Sequence, residues 1–293
     1  MRRWLSIARA TALEILSEPL SLLLLLAALA LATLAPAFHY HQFGEVTRMA
    51  RDSGLSALFV GGVLVAVFGT IRTFRREIET GTAQMALVHP VSRSGFFLAK
   101  TFGAGGALLF FLSVVAAVAF CIVRGAEIGG RHSDCCGDIA RIWGPSLAIG
   151  VSTLVLPLAA AAALNRFARW RFVPTAFAFA FILALAGTCY HPNGVLAARL
   201  LPAAVLVAVP SLVLLAAAAA FAVRFKANVA AAATGVAFAA LVPFIGNYYL
   251  SDALAKGGVL PWGYVALALA AALPAGAAFL LLGLHFINGR DLA

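Results

Sequence analysis

LSALFVGGVLVAVFGTI (55–71), RTFRREIETGTAQMALVHPVSRSGFFLAK (72–100) and, after Thr101, FGAGGALLFFLSVVAAVAFCIV (102–123) decide the fold. Two apolar runs flank the longest segment away from the chain ends that is both charged and compatible with a helix. Each run approaches the roughly 20 apolar residues that carry a helix across a bilayer. The flanks read as membrane spans and the middle as a loop held at one membrane surface.

The rest of the chain repeats the flanks. Hydrophobic residues make up 63% of the 293 residues, charged residues 11%, and the mean hydropathy is +1.00. Soluble domains are about 45–50% apolar and about 25% charged, so this is an integral membrane protein. The apolar runs are long and lack the alternation of barrel strands. They fall at 20–37, 55–71, 102–123, 143–164, 172–190, 201–223, 229–246 and 261–286. The expected fold is all-α, a polytopic transmembrane helical bundle of about eight spans, with 1–293 forming a single transmembrane domain. The alanine-rich stretch 201–246 is interrupted by Pro202 and Pro210. It reads as two spans or as a re-entrant hairpin, and the hairpin leaves six spans. Either count puts both chain ends on the same side.

Residues 1–18 place Trp4, Leu5, Ala8, Ala12, Ile15 and Leu16 at helical spacing, with Arg2, Arg3 and Arg9 elsewhere. That is a basic amphipathic helix suited to an anionic membrane face, and Pro19 permits a change of direction into the first span. A signal-peptide reading competes, with Ala35-Pro36-Ala37 as the cleavage-like site. The amphipathic leader is long for the charged region of such a peptide, so 1–18 is expected to be an interfacial helix. With the N-terminus inside, about two thirds of the 21 Lys and Arg fall in inside segments, the asymmetry that orients membrane proteins. Both termini and the 72–100 loop are then cytoplasmic, in the cell (inner) membrane. The net charge of +10 belongs to these loops. No basic run interleaved with aromatics forms a soluble module, which argues against nucleic-acid binding.

None of the eleven acidic residues falls in the middle of an expected span. Intramembrane carboxylates mark proton and cation pathways, so a proton-coupled carrier or cation channel is disfavoured. The nearest approach to a phosphate-cradling G-x-x-x-x-G-K-[ST] loop is GFFLAKT at 95–101, which has the wrong glycine spacing. With Arg93-Ser94 before it and Lys100-Thr101 within it, it reads as the interfacial start of the third span. No H-E-x-x-H or G-x-S-x-G motif suggests an intramembrane enzyme, and no catalytic residue, cofactor or metal is expected. His285 is expected to hydrogen-bond a neighbouring helix. Cys121 and Cys189 read as small core residues. His39, His41, His132, Cys135, Cys136 and His191 gather on the outer side, where polar loops explain them better than a metal site.

Within the central loop, Arg75, Arg76, Glu77 and Glu79 read as a solvated, mixed-charge turn. Gly81 allows a break, Thr82 can cap a short helix, and Pro90 ends it. Ser92 or Ser94 then caps the third span. A plain connecting loop and a docking element fit these residues equally well. The segment FRREIETGTAQMALVHPVSRSGFFLAKTFG (74–103) resembles the cytoplasmic loop of ABC-2 type permeases, the membrane subunits of a class of ATP-binding-cassette transporters. The matching residues are Glu77, Glu79, Gly81, Thr82, Pro90, Val91, Ser92, Arg93 and Lys100, and the likeness covers roughly 40–105. The usual six spans of that family contrast with the extra apolar pair in 201–246. The resemblance implies a permease that pairs as a homodimer or heterodimer, sits among membrane lipids, and binds two copies of a separate ATPase subunit. The loop would be its coupling helix. Arg75, Arg76, Glu77, Glu79, Gly81, Thr82, Leu87, Pro90, Ser92 and Arg93 would form or shape the docking surface. ATP hydrolysis would belong to the partner and export to the pair. A non-transporting anchor or assembly subunit is the alternative, followed by a passive carrier or an intramembrane enzyme.

Overall fold

A computed structural model of the chain describes residues 2–34, 46–80, 92–131, 139–190, 195–249 and 260–289. Among the described residues there are nine helices and no strand. Helix α1 spans Arg2–Ser17 and α2 Pro19–Leu34. Helix α3 is one rod built from Val46–Leu64, a π-helical turn at Val65–Gly69, and Thr70–Glu79. Helix α4 covers Arg93–Arg131, α5 Ile139–Ala168 and α6 Phe172–Tyr190. Helices α7 (Val195–Arg224), α8 (Ala227–Tyr249) and α9 (Trp262–Asn288) complete the order.

The eight apolar runs correspond one to one with α2–α9, and the amphipathic leader is α1. Five helices are long and apolar enough to cross a membrane: α3, α4, α5, α7 and α9. Helices α1 and α2 meet that test only as a pair, bent by 61°. The bend falls at Glu18, whose carbonyl accepts the Ser21 N–H at 3.1 Å. Pro19 takes the first helical position, where its missing N–H is harmless. Helices α6 and α8 carry shorter apolar stretches, Phe172–Thr188 and Ala227–Ala240.

Three boundaries differ from expectation. Helix α3 runs on to Glu79, so the charged residues after Ile71 form a helix and not a turn. Arg75 and Glu79, one turn apart, pair at 2.7 Å, and such i,i+4 pairs support the helical form. Helix α4 continues past Val123 to Arg131, where a loop was expected. Arg124 and Glu127 ion-pair within it and are both buried, which lets the charges stay in the helix. Helix α7 passes through Pro202 and Pro210 without a break. At 30 residues it is about 45 Å long, too long for half of a re-entrant hairpin.

The chain forms two compact units. The first comprises Met1–Leu16, Gly62–Leu109 and Leu206–Ala293. Its core gathers on Phe97, which has no exposed surface, with Ile71, Phe74, Ala218, Ala222, Val223 and Ile287 around it. The Phe74 and Phe97 rings are tilted with centroids 5.7 Å apart, a favourable aromatic geometry. The alanines of α7 lie at 0–5% exposure over 216–220. Small side chains there bring the α7 backbone close to its neighbours, as in membrane helix packing. Helix α9 approaches equally closely at Gly283, where a Cβ would strike the Phe97 ring.

The second unit comprises Ser17–Gly61 and Phe110–Val205. Helices α5 and α6 form a hairpin in it, and α2 packs against both. Phe110 of α4 meets Phe181 of α6 at 5.4 Å, and Phe111 meets Phe177 at 6.2 Å. Cys121 is buried as expected, its thiol donating to the Ala184 carbonyl at 3.3 Å.

Gly283→Ala should destabilise the protein by about 1–3 kcal/mol, the usual effect of overpacking a filled core. Gly276, on the same helix, has nothing within 4 Å of an added Cβ. Gly276→Ala should leave stability unchanged or raise it by about 0.5–1 kcal/mol. Unfolding midpoints of the two variants in detergent test the placement of α9.

Candidate functional site

The described ends of the charged loop are residues 80 and 92, and the structure there is built around Lys100. Two turns into α4, this lysine is only 1% exposed. Its ammonium donates to the Thr73 carbonyl at 3.0 Å and pairs with Glu77 at 2.5 Å, both on α3. The Phe74 and Phe96 rings stand 5.1 and 5.9 Å away, within cation–π range. A buried ammonium is tolerated only when paired and hydrogen-bonded, and α3 supplies both conditions. The lysine therefore joins the helix that enters the loop to the helix that leaves it.

Helix α1 closes the cluster from a third side. Glu14 interacts with Lys100, Glu77 and Arg76; partial burial raises its carboxyl pKa above the ordinary range, and Lys100 opposes the rise. Gly103 of α4 lies so close to Ala8 that a Cβ would collide with the α1 backbone. A Cβ on Gly95 would meet Trp4 at 2.9 Å, and one on Gly69 would meet Ile15 at 3.3 Å. The amphipathic helix thus lies across the roots of α3 and α4.

The local hydrogen bonds explain the stems. Ser92, rather than Ser94, caps α4: its hydroxyl accepts the Gly95 N–H at 3.1 Å. On α3, the Thr80 hydroxyl donates to the Arg76 carbonyl at 2.7 Å and closes the last turn. The π-helical turn lies just before the Lys100 contacts. Such turns frequently occur at functional positions. Thr73, one turn beyond it, donates its hydroxyl to the Gly69 carbonyl at 2.8 Å.

The residues proposed from sequence are therefore distributed unequally. Glu77 points into the Lys100 cluster. Arg75 is half-buried and pairs with Glu79. Arg72, Arg76, Glu79 and Thr80 are exposed and, at helical spacing, share one face of α3. Ser92 and Arg93 are exposed at the start of α4. Gly81, Thr82, Leu87 and Pro90, with the short helix expected there, lie outside the described residues. So do His39, His41, His132, Cys135, Cys136 and His191. His285 is exposed in the last turn of α9, beside the Phe286 ring, and among the described residues it is not bonded to another helix. A histidine there complements the negative end of the helix dipole.

Sequence reasoning missed Glu14, Thr73, Phe74 and Phe96 as parts of the site, and named Lys100 only as a family-matching residue at the start of the third span. A lone lysine followed by 23 uncharged residues was the available signal. The fold is that of a polytopic helical membrane protein. The sequence pattern of the ABC-2 family transporter proteins matches residues 12–187, more than half of the chain, and the chain belongs to that family. No curated protein and no solved structure matches it. Membership makes it a permease, a membrane transport component that is not itself catalytic, and implies an ABC ATPase subunit as partner.

Lys100→Met should destabilise the protein toward the lower end of the ~3–5 kcal/mol seen when a buried ion pair loses one member, because Glu77 retains 27% exposure. Adding Glu77→Gln should recover part of that loss by removing the stranded carboxylate. Denaturant unfolding of the single and double variants checks both signs.

Proposed function

We propose that the chain is the permease of an ABC-2 exporter in the cytoplasmic membrane, driven by a separate ATPase that docks on the 72–100 loop. Both termini lie in the cytoplasm, the eight apolar helices form one transmembrane domain, and two permeases pair with two ATPase subunits. The Lys100–Glu77 pair, which holds the loop's two stems together, carries this reading. A push on the loop would reach α3 and α4 as one body, and through Glu14 and Ala8 it would reach α1. The exposed face of Arg72, Arg76, Glu79 and Thr80 supports docking, because those side chains are not committed to the core. Gly81, Thr82, Leu87 and Pro90 complete the coupling helix on this reading, with Ser92 and Arg93 at its exit.

The division of roles also identifies the useful variants. Reversing Glu77 would disrupt the Lys100 cluster itself, whereas Glu79 and Arg76 can be reversed on the surface. Glu79→Lys and Arg76→Glu should each cut co-purification of the co-expressed ATPase, and its stimulated ATP turnover, several-fold. The unfolding midpoint should hardly move, since exposed pairs contribute about 0–1 kcal/mol. Unchanged complex yield and turnover in both variants would sink the docking assignment. ATP-dependent uptake of fluorescent amphiphiles by inverted vesicles supports the exporter. A stable complex with no uptake across the panel favours the anchor subunit.

A further inference from the structure

The turn between α5 and α6 reads Asn165-Arg166-Phe167-Ala168-Arg169-Trp170-Arg171-Phe172. Its backbone is held firmly. The Asn165 side-chain amide donates to the Trp170 carbonyl at 2.6 Å, and the Thr175 hydroxyl donates to the Arg171 carbonyl at 2.6 Å. Arg169 adopts the left-handed conformation, φ 55°, which lets three residues reverse the chain. All three arginines are exposed, and none makes an ion pair among the described residues. The α5–α6 hairpin contains no Asp or Glu from 139 to 190, so it cannot neutralise them itself. Phe167 is 87% and Trp170 58% exposed, and neither ring packs against another aromatic among the described residues. The basic turn between α7 and α8 differs: its Phe225 packs against Phe221 and Phe286.

Exposed cations that make no ion pair among the described residues, beside two exposed aromatic rings, match one environment. The turn follows the apolar stretch Ala148–Ala168 and precedes Phe172–Thr188, so it sits where a hydrocarbon layer gives way to headgroups. Trp is enriched at that depth, and Arg offers planar donors to phosphate oxygens. We propose that the α5–α6 turn is a binding surface for anionic phospholipid. Arg166, Arg169 and Arg171 meet phosphate headgroups, while Phe167 and Trp170 enter the acyl boundary beside them. The hydrogen-bonded turn presents the three guanidinium groups without further ordering, which lowers the entropic cost of binding. The proposal rests on the chain being a membrane-embedded permease. It is independent of the coupling loop and of transport direction.

Native mass spectrometry of the detergent-purified chain, titrated with phosphatidylglycerol or phosphatidylcholine, tests it. The wild type should retain phosphatidylglycerol preferentially. Each Arg→Gln change should weaken that preference by about fivefold, the effect of one basic residue near an anionic surface, and the triple variant should abolish it. The triple Arg→Lys variant should keep most of it, and Arg224→Gln with Lys226→Gln should leave it intact. An undiminished preference in the triple Gln variant, with its unfolding midpoint unchanged, would overturn the proposal. So would loss of ATPase co-purification in that variant with lipid preference intact, which would make the turn an acidic-protein contact. Loss of ATPase binding in the Glu79 and Arg76 variants alone leaves the proposal standing.

Discussion

The Lys100 ammonium is the constraint on which the loop root depends. Burying an unpaired ammonium costs several kcal/mol, and burying it at 1% exposure leaves it no access to water. It persists because the Thr73 carbonyl, the Glu77 carboxylate and two aromatic faces surround it. Three of those groups lie on α3 within two turns, and the fourth, Phe96, lies one turn back on α4. Moving the α3 stem away from α4 would leave the charge without partners. The two stems are therefore held together, and the cost of separating them is electrostatic as well as apolar. Phe97 adds the apolar part, filling the space between the same two helices and the alanine face of α7.

The same cluster gives α1 a second role beside membrane contact. Its amphipathic pattern suggested a helix lying on lipid, and Leu5 at 75% exposure fits that. The opposite face is chosen for close approach: Ala8 faces Gly103, and Thr11 and Ile15 are buried. Glu14, on the same helix, lies close enough to feel the charges of Lys100, Glu77 and Arg76. Bulk at Ala8 or Gly103 would lift the helix and separate Glu14 from Lys100. Backbone proximity thus sets the distance over which Glu14 feels the cluster.

Much of this was legible in the sequence because apolar run length is a strong signal. It located all eight apolar helices and the break at Pro19. The loop motif led to the ABC-2 resemblance, and the family match agrees with it. The boundaries were less legible for a physical reason. Charged residues such as Arg75, Glu79, Arg124 and Glu127 read as loop when taken singly. Each has its partner one turn away, so the helix keeps them. Pro202 and Pro210 read as interruptions, yet α7 absorbs both where its neighbours pack tightly. The Lys100 site was hidden because its partners lie on α3, on α4 itself and, for Glu14, on the distant α1. Only tertiary contact brings Glu14, Glu77 and Lys100 together.

Helix α4 shows how charge placement and membrane crossing are reconciled. Between Lys100 and Arg124 lie 23 residues without a charge, slightly more than the roughly 20 needed to cross hydrocarbon. Each bounding cation is buried and carries a glutamate partner, Glu77 from α3 for one and Glu127 from the next turn of α4 for the other. The ends of the apolar stretch are thus marked by neutralised pairs and not by bare charges reaching for water. Bare charges would fix the depth of α4 through lipid headgroups alone, and the helix could tilt or slide with the bilayer. A charge paired to a second helix fixes it against protein. At the Lys100 end the partner belongs to another helix, so that end answers to α3 and to the loop between them. At the Arg124 end the glutamate of the pair lies one turn further along α4. The two ends of the apolar stretch thus differ: the glutamate of the ion pair comes from a second helix at the Lys100 end and from α4 itself at the Arg124 end.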